Sequence, residues 1–332
     1  MLIINFKLLM LYPLKFEPIL KDKIWGGTKL NSLFSKASTS LFLGESYELS
    51  GLESDPSIVV NGFLAGNTLE ELIEVYMGEL VGDEVFDQFG VQFPLLFKLI
   101  DANDTLSIQV HPNDEVAYER HGQFGKTEMW YVLESEENAQ LTLGFNKECS
   151  QDEYLRCLEA GTVDGLLRRV NVEKGDVIYI PAGTVHAIGK GIVLAEIQQS
   201  SDLTYRIFDY NRKDENGVER ELHTDLALDV IKYEVVDQPK VPYSALMNQV
   251  TSLVQSDFFT TNLMVFDQPL TRHYTSIPSF VVYMCVDGGF LIDYNGEKLI
   301  VSKGETVLIP ACIDELSFYP ESECRLLEVY IS

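Results

Sequence analysis

The frame Lys-Gly-acid, three residues, Ile-Pro-Ala occurs twice in this chain: "VEKGDVIYIPAGTVHAI" at 172–188 and "VSKGETVLIPACIDELSF" at 301–318. Lys174 and Lys303 stand 129 residues apart, and so do Pro181 and Pro310. Upstream of each copy lies an aromatic, strand-like run, "MWYVLE" at 129–134 and "FVVYMCVDGG" at 280–289. Pairing Tyr131 with Tyr283 gives an offset of 152, so the first copy carries 23 extra residues between its two motifs. Self-similarity of this kind means two related β domains in one chain. In each, a Gly turn leads into an apolar strand that ends at proline, where the missing N–H need not join a ladder.

Elsewhere, short Val/Ile/Tyr/Phe-rich runs punctuated by Gly, Asn and Asp make the chain mainly β. Three segments show helical spacing instead: 67–90 behind an Asn-Thr start, 149–161 between a Ser cap and a Gly stop, and 222–233 behind Thr-Asp. The second of these falls in the gap between the motifs of the first copy. The expected organisation is therefore a first β domain over 10–235, with helical insertions near 67–90 and 149–161, and a second over 236–332. Met10 offers an alternative start, which sets residues 1–9 apart as an N-terminal extension.

Charge narrows the partners. With 25 Lys and Arg against 51 Asp and Glu, the formal charge is −26, which repels phosphate backbones and anionic lipid alike. Neither nucleic acid nor membrane is expected as a partner, and no apolar run reaches bilayer-spanning length. An anionic substrate would need a local group of Lys and Arg to overcome the global field. Five cysteines without a CxxC pair suggest reduced thiols in the cytoplasm rather than a disulfide framework or a thiolate zinc site.

Chemistry concentrates in few residues. In "SIQVHPND" (107–114), strand alternation sends Gln109 and His111 to one face. Glu128 immediately precedes the first aromatic strand, and His186 follows the turn at Gly183. The second copy has Cys312 where the first has Gly183, and Glu315 where the first has His186. One copy is equipped for chemistry and the other is structural. Two imidazoles, a carboxylate and a neutral oxygen suit zinc or another borderline divalent ion with a position left open. A lone histidine in a β core is more often hydrogen-bonded than metal-bound, and His121, His223 and His273 are read that way.

"GDVIYIPAGTVH" resembles the second cupin motif, and "QVH" with Glu128 resembles the first, with Gln in place of its leading His and a longer spacing to the carboxylate. Those departures, in "FPLLFKLIDANDTLSIQVHPND" and "GKTEMWYVL", are similar to type I mannose-6-phosphate isomerases. "LKDKIWGGTKL", "GESYELSG" and "AEIQQSSDLTYRIFDYNR" resemble further segments of that family, in order along nearly the whole chain. The resemblance implies two jelly-roll-like cupin barrels with inserted helices, one Zn²⁺ held by Gln109, His111, Glu128 and His186, and a sugar phosphate as substrate. It places the family's active-site arginine on Arg206, a pocket carboxylate on Glu196, and pocket lysines on Lys126 and Lys98. Ser107 matches a serine associated with the substrate phosphate. Arg212 stands where better-known members carry lysine.

The implied reaction interconverts mannose 6-phosphate and fructose 6-phosphate through a metal-assisted proton transfer between C1 and C2, in a monomer or weak homodimer. Lys98, Lys126, Arg206 and Arg212 would supply the cationic cluster that the charge argument demands. Two other readings compete: a non-catalytic bicupin that binds sugar, and a metal-dependent cupin dioxygenase. The second would favour a site richer in histidine.

Overall fold

A computed structural model of the chain describes residues 10–213 and 216–332; the extension expected at 1–9 lies outside them. Alternation along the strands pairs sheets face to face, and the contacts sort the chain into two units. One comprises Ile19–Tyr47 and Leu95–Pro242; the other comprises the described residues up to Pro18, Glu48–Pro94 and Tyr243–Ser332.

In the first unit, a six-stranded sheet runs in the order Ile19–Gly27, Leu43–Ser50, Leu95–Ala102, Ile192–Gln199, Glu128–Ser135, Val177–Ile180. It faces a five-stranded sheet ordered Tyr205–Phe208, Ile108–Val110, His186–Ile188, Gln140–Phe145, Leu167–Asn171. Ile100, Trp130, Val132, Leu141, Leu143, Ile178, Ile188 and Leu194 fill the space between them. A separate cluster, with Ile108, Val110, Phe145, Tyr154, Ala187 and Tyr205, covers the outer face of the five-stranded sheet. The second unit repeats the arrangement with sheets of six and four strands around Tyr283, Phe290, Val307, Phe318 and Leu326.

The units are not consecutive stretches of chain. The segment 67–90 belongs with the C-terminal strands rather than with the first barrel, and the chain finally crosses at 242/243 instead of 235/236. The cause is long-range pairing. Leu14–Lys15 adds a strand beside Thr306–Ile309, and the Leu80 and Glu79 carbonyls accept from the Ala311 and Cys312 amides. Phe93 packs on Phe280 with ring centroids 4.6 Å apart.

Register also corrects the repeat. Trp130 lies opposite Ile178 and Tyr283 opposite Val307, so Tyr283 corresponds to Trp130, an offset of 153. The excess in the first copy is then 24 residues against the 129-residue frame of the Ile-Pro-Ala motifs. Twenty-one residues separate Phe145 from Leu167, against two between Tyr294 and Glu297, so nineteen of the extra residues enter there. They include the helix Gln151–Glu159, capped by the Ser150 hydroxyl on the Glu153 amide.

The helical segment at 67–90 opens with a Thr68/Glu71 capping box and breaks into Leu69–Tyr76, Gly78–Val81 and Asp83–Phe89. The breaks fall at Met77 and Gly82, whose φ values are 48° and 95°. The helix expected at 222–233 shrinks to Thr224–Ala227. Beyond it the Lys232 amide donates to the Gly183 carbonyl, a bond that a continuing helix would not leave free. Asp114–His121 forms a helix with no apolar stripe; its sequence signals lie at the ends, in the Asn113 cap on the Val116 amide, the acidic first turn and the left-handed Gly122.

Candidate metal centre and active site

Pleating decides what points into the first barrel. Across the five-stranded sheet, Arg206 lies opposite Gln109 and Gln109 opposite His186, so the three share one face. Ile108, Val110 and Ala187 point the other way, into the outer cluster. Across the six-stranded sheet, one row runs Lys98, Glu196, Trp130, Ile178 and the next runs Gln198, Glu128, Ile180. Each inward-facing strand register is therefore apolar at one end (Ile100, Val132, Leu194) and ionisable or amide-bearing at the other (Lys98, Glu128, Glu196, Gln198).

At the polar end, one ligand atom each from His111, Glu128 and His186 falls within a sphere of mutual distances of 4.8 Å. Glu128 Oε1 is 3.3 Å from His186 Nε2, and Glu128 Oε2 is 3.6 Å from His111 Nε2. The opposite nitrogens are committed. His111 Nδ1–H donates to the Leu203 carbonyl at 2.7 Å, and His186 Nδ1–H donates to the Thr184 carbonyl at 2.8 Å. Those bonds fix the tautomer, leaving both Nε2 lone pairs facing the carboxylate. Burial, with Lys126 and His186 adding repulsion, holds the His111 pKa well below its ordinary value; burial brings His186 down to about 4. Both rings are neutral near pH 7, as ligands must be.

The Gln109 amide nitrogen lies 3.3 Å from His186 Nε2. A half-turn of the amide exchanges its nitrogen and oxygen, so the same position offers a neutral oxygen ligand. Glu128 is fully buried, and no backbone amide or neutral side chain donates to its oxygens. Burial pushes its carboxyl up to about 7. The Lys126 ammonium reaches in to 3.2 Å from Glu128 Oε2 and 3.3 Å from His111 Nε2. A buried carboxylate contacted by the Lys126 ammonium, with two buried imidazole nitrogens aimed at it, is the donor set of a metal site. The residues fit a zinc-type ion with nitrogen and oxygen ligands.

Beside this set sits a buried ion pair. Lys98 Nζ is 2.9 Å from Glu196 Oε2, and the Trp130 indole donates to Glu196 Oε1 at 2.9 Å. Burial pushes the Glu196 carboxyl up, but Lys98 and Lys126 outweigh it and bring it down to about 2. The Lys98 ammonium also lies 5.0 Å above the Tyr47 ring.

The remaining residues separate into two groups. Ser107 is buried, two positions before Gln109 on the same chain direction. Arg206 is half-buried; Nη1 donates to the Glu221 carbonyl, while buried Nε has no partner. Arg212 is tied to the buried Asp209 carboxylate, which Arg220 also engages, and to the Thr105 carbonyl at 2.6 Å. The three histidines read as structural are partnered: His121 with the Tyr205 hydroxyl, His223 with the Arg206 amide, and His273 with Glu315. Sequence reasoning missed Trp130, Tyr47 and Gln198, which contact the ion pair, and Asp209 with Arg220. The adjacent amides of "IQQSS" in an otherwise apolar strand were the available signal.

The Pro-x-Gly turn has its own requirement. Gly183 has φ +89°, and a Cβ there would meet the Val230 carbonyl oxygen at 2.8 Å. Its amide donates to the His111 carbonyl at 2.8 Å, joining the two ligand-bearing segments. Gly183→Ala is expected to cost about 1–3 kcal/mol in chemical denaturation; unchanged stability would show that the turn relaxes freely.

Comparison with known proteins agrees in both halves. Residues 13–149 match the family described as phosphomannose isomerase type I, catalytic domain, and residues 249–331 match the mannose-6-phosphate isomerase cupin domain. The chain is 36% identical over 325 residues to the probable mannose-6-phosphate isomerase GmuF of Bacillus subtilis (strain 168), covering 96% of this chain and 99% of that one. It is 36% identical over 307 residues to the mannose-6-phosphate isomerase of Streptococcus mutans, covering 92% and 95%. The crystal structure of the Bacillus subtilis mannose 6-phosphate isomerase is similar with a TM-score of 0.87 at 34% identity, covering 97% of this chain and 100% of that one. At 21% identity, a putative mannosephosphate isomerase from Archaeoglobus fulgidus shares the fold with a TM-score of 0.78, covering 96% and 97%.

Proposed function

This chain belongs to the type I mannose-6-phosphate isomerase family, and from that premise we propose that it interconverts mannose 6-phosphate and fructose 6-phosphate by a zinc-assisted proton transfer between C1 and C2. The observation that carries this reading is the buried convergence of two imidazole Nε2 atoms on the Glu128 carboxylate, which the Lys126 ammonium also approaches. His111, Glu128 and His186 would hold the ion, with Gln109 supplying the neutral oxygen. A bound divalent ion there supplies Lewis-acid polarisation of the sugar's oxygens, lowering the cost of the negative charge that develops.

The other residues bind and orient. Lys98 and Lys126 are buried ammonium groups next to the ligand set, suited to sugar hydroxyls or phosphate through charge-assisted hydrogen bonds. Arg206 shares the interior face with Gln109, and its unpartnered Nε is a donor for developing oxyanion charge. Ser107, buried two residues before Gln109, would add a hydroxyl for the phosphate. Arg212 is assigned a lesser part, orienting the 209–212 turn through Asp209. Glu196 is a poor proton carrier: a carboxyl held near 2 lies far from the pKa that serves acid–base work at neutral pH. Its counterpart across the barrels is Glu328, which lies opposite Tyr283 as Glu196 lies opposite Trp130. Glu328 accepts from the Tyr283 hydroxyl and from Arg272 in a barrel where Val281 replaces Glu128. Such a carboxylate is part of the barrel's construction, so Glu196 is assigned as the counter-ion that keeps Lys98 charged.

The substrate class is a small sugar phosphate, and the five unpaired cysteines agree with a cytoplasmic setting. Among the described residues, no helix is long and apolar enough to cross a membrane. A coupled assay converting mannose 6-phosphate to fructose 6-phosphate tests the reading. Chelation is expected to lower the rate at least about 100-fold, the scale of a lost Lewis acid, and added zinc to restore it. Full activity in stripped protein would remove the metal, and a chain with no turnover would remove the function.

A further inference from the structure

Gln198 belongs to neither the ligand set nor the cationic group, yet it touches both sides of the site. Its side chain is fully buried on the inward face, directly opposite Glu128. The carbonyl oxygen accepts from Lys98 Nζ at 2.7 Å. The amide nitrogen donates twice, to the Gln199 carbonyl at 2.8 Å and the Ser201 carbonyl at 2.7 Å. This leaves one amide orientation, because a half-turn would set NH₂ against the ammonium and oxygen against two carbonyls. Ser201 opens the short connection to Leu203, whose carbonyl accepts His111 Nδ1–H. One amide therefore fixes the Lys98 ammonium and anchors the segment whose Leu203 carbonyl orients the His111 imidazole.

We propose that Gln198 is a positioning residue of the isomerase site, holding the Lys98 ammonium in place and securing the 199–203 segment so that His111 presents Nε2 to the ion. The proposal rests on the functional reading above. Supporting shells of this kind contribute roughly 10–100-fold to metal affinity or activity. Glu196 and the Tyr47 ring hold Lys98 on two sides, and of its three donors the Gln198 oxygen takes a second directed hydrogen bond.

The test uses the full-length zinc-loaded protein with Gln198→Met, which keeps the volume and removes all three hydrogen bonds. Kinetics on mannose 6-phosphate, zinc affinity by chelator competition, and ¹⁵N-histidine NMR are measured together. The expected result is a fall of about 10–100-fold in kcat/KM and in zinc affinity. The slowly exchanging His111 Nδ1–H resonance is expected to broaden while that of His186, held by Thr184, persists. A variant that melts earlier but keeps wild-type kinetics, zinc affinity and both resonances overturns the proposal, since it makes Gln198 mere filling. Should Gln198→Met fail to fold, Gln198→Asn carries the test: its shorter stem cannot span Lys98 and both carbonyls, and wild-type behaviour there overturns the proposal equally. Absence of turnover in the unmodified chain would count against the isomerase reading alone, because zinc affinity and NMR still report on Gln198.

Discussion

His186→Ala is expected to lose bound zinc and isomerase activity together, with kcat/KM down roughly 10³-fold or more, equivalent to about 4 kcal/mol of barrier. The imidazole is fully buried, neutral, and fixed by the Thr184 carbonyl, so its Nε2 has no other occupation than facing Glu128 and Gln109. Removing it leaves His111 and Glu128 as the remaining strong donors, too few to close a four-ligand site. The barrel should survive. His186 lies outside the aliphatic cluster between the sheets, and its loss opens space beside His111, Trp130, Glu128 and Gln109. Elemental analysis of zinc, the coupled assay and far-UV circular dichroism separate these effects. His273→Ala is the control: that ring is mostly exposed, paired with Glu315 in the other unit, and should change neither zinc nor rate. A folded His186→Ala enzyme with full activity would end the metal assignment.

How far this site could be read from the residues alone depends on the range of each signal. Gln109 with His111 and the turn leading to His186 are local patterns, in which two-residue alternation and a Pro-x-Gly frame carry the information. The doubled Ile-Pro-Ala frame reports its own copy number for the same reason. Adjacent aromatics misled the alignment by one position: Trp130 and Tyr131 are interchangeable in composition, and only the pleat shows that Trp130 faces inward with Tyr283's counterpart role. Pairings between distant strands are silent in the sequence. Nothing local tells Lys98 that Glu196 lies opposite it, or that the helices of 69–89 join the strands near 310. The cost of closing such loops grows slowly with their length, so physics permits them without marking them. Arg212 shows the converse. Its partner Asp209 is only three residues away, yet a charged run reads equally as site or surface until the hydrogen bonds are seen.

Separating architecture from chemistry at Lys98 and Glu196 requires both single variants and the double. Glu196→Gln keeps an acceptor for the Trp130 indole but leaves the Lys98 ammonium buried without its counter-charge; Lys98→Met leaves the converse. Each single change is expected to cost about 3–5 kcal/mol in chemical denaturation at pH 7, the penalty for orphaning one partner of a buried pair. Combining Lys98→Met with Glu196→Gln removes both charges, and stability should return to within about 1 kcal/mol of wild type. Activity should not return, because the ammonium proposed to hold the substrate has gone. The acid limb offers an independent check. The folded-state Glu196 carboxyl lies near 2 against an ordinary 4.5, a depressed value, so its stabilisation is complete above about pH 4.5 and disappears as pH falls through about 2. The double variant lacks that titration and should show a shallower loss of stability across this window. Single variants that cost less than about 1 kcal/mol would mean that the pair is solvated. A double variant that regains activity along with stability would show that Lys98 serves the barrel alone, and the phosphosugar contact would have to be sought at Lys126 and Arg206.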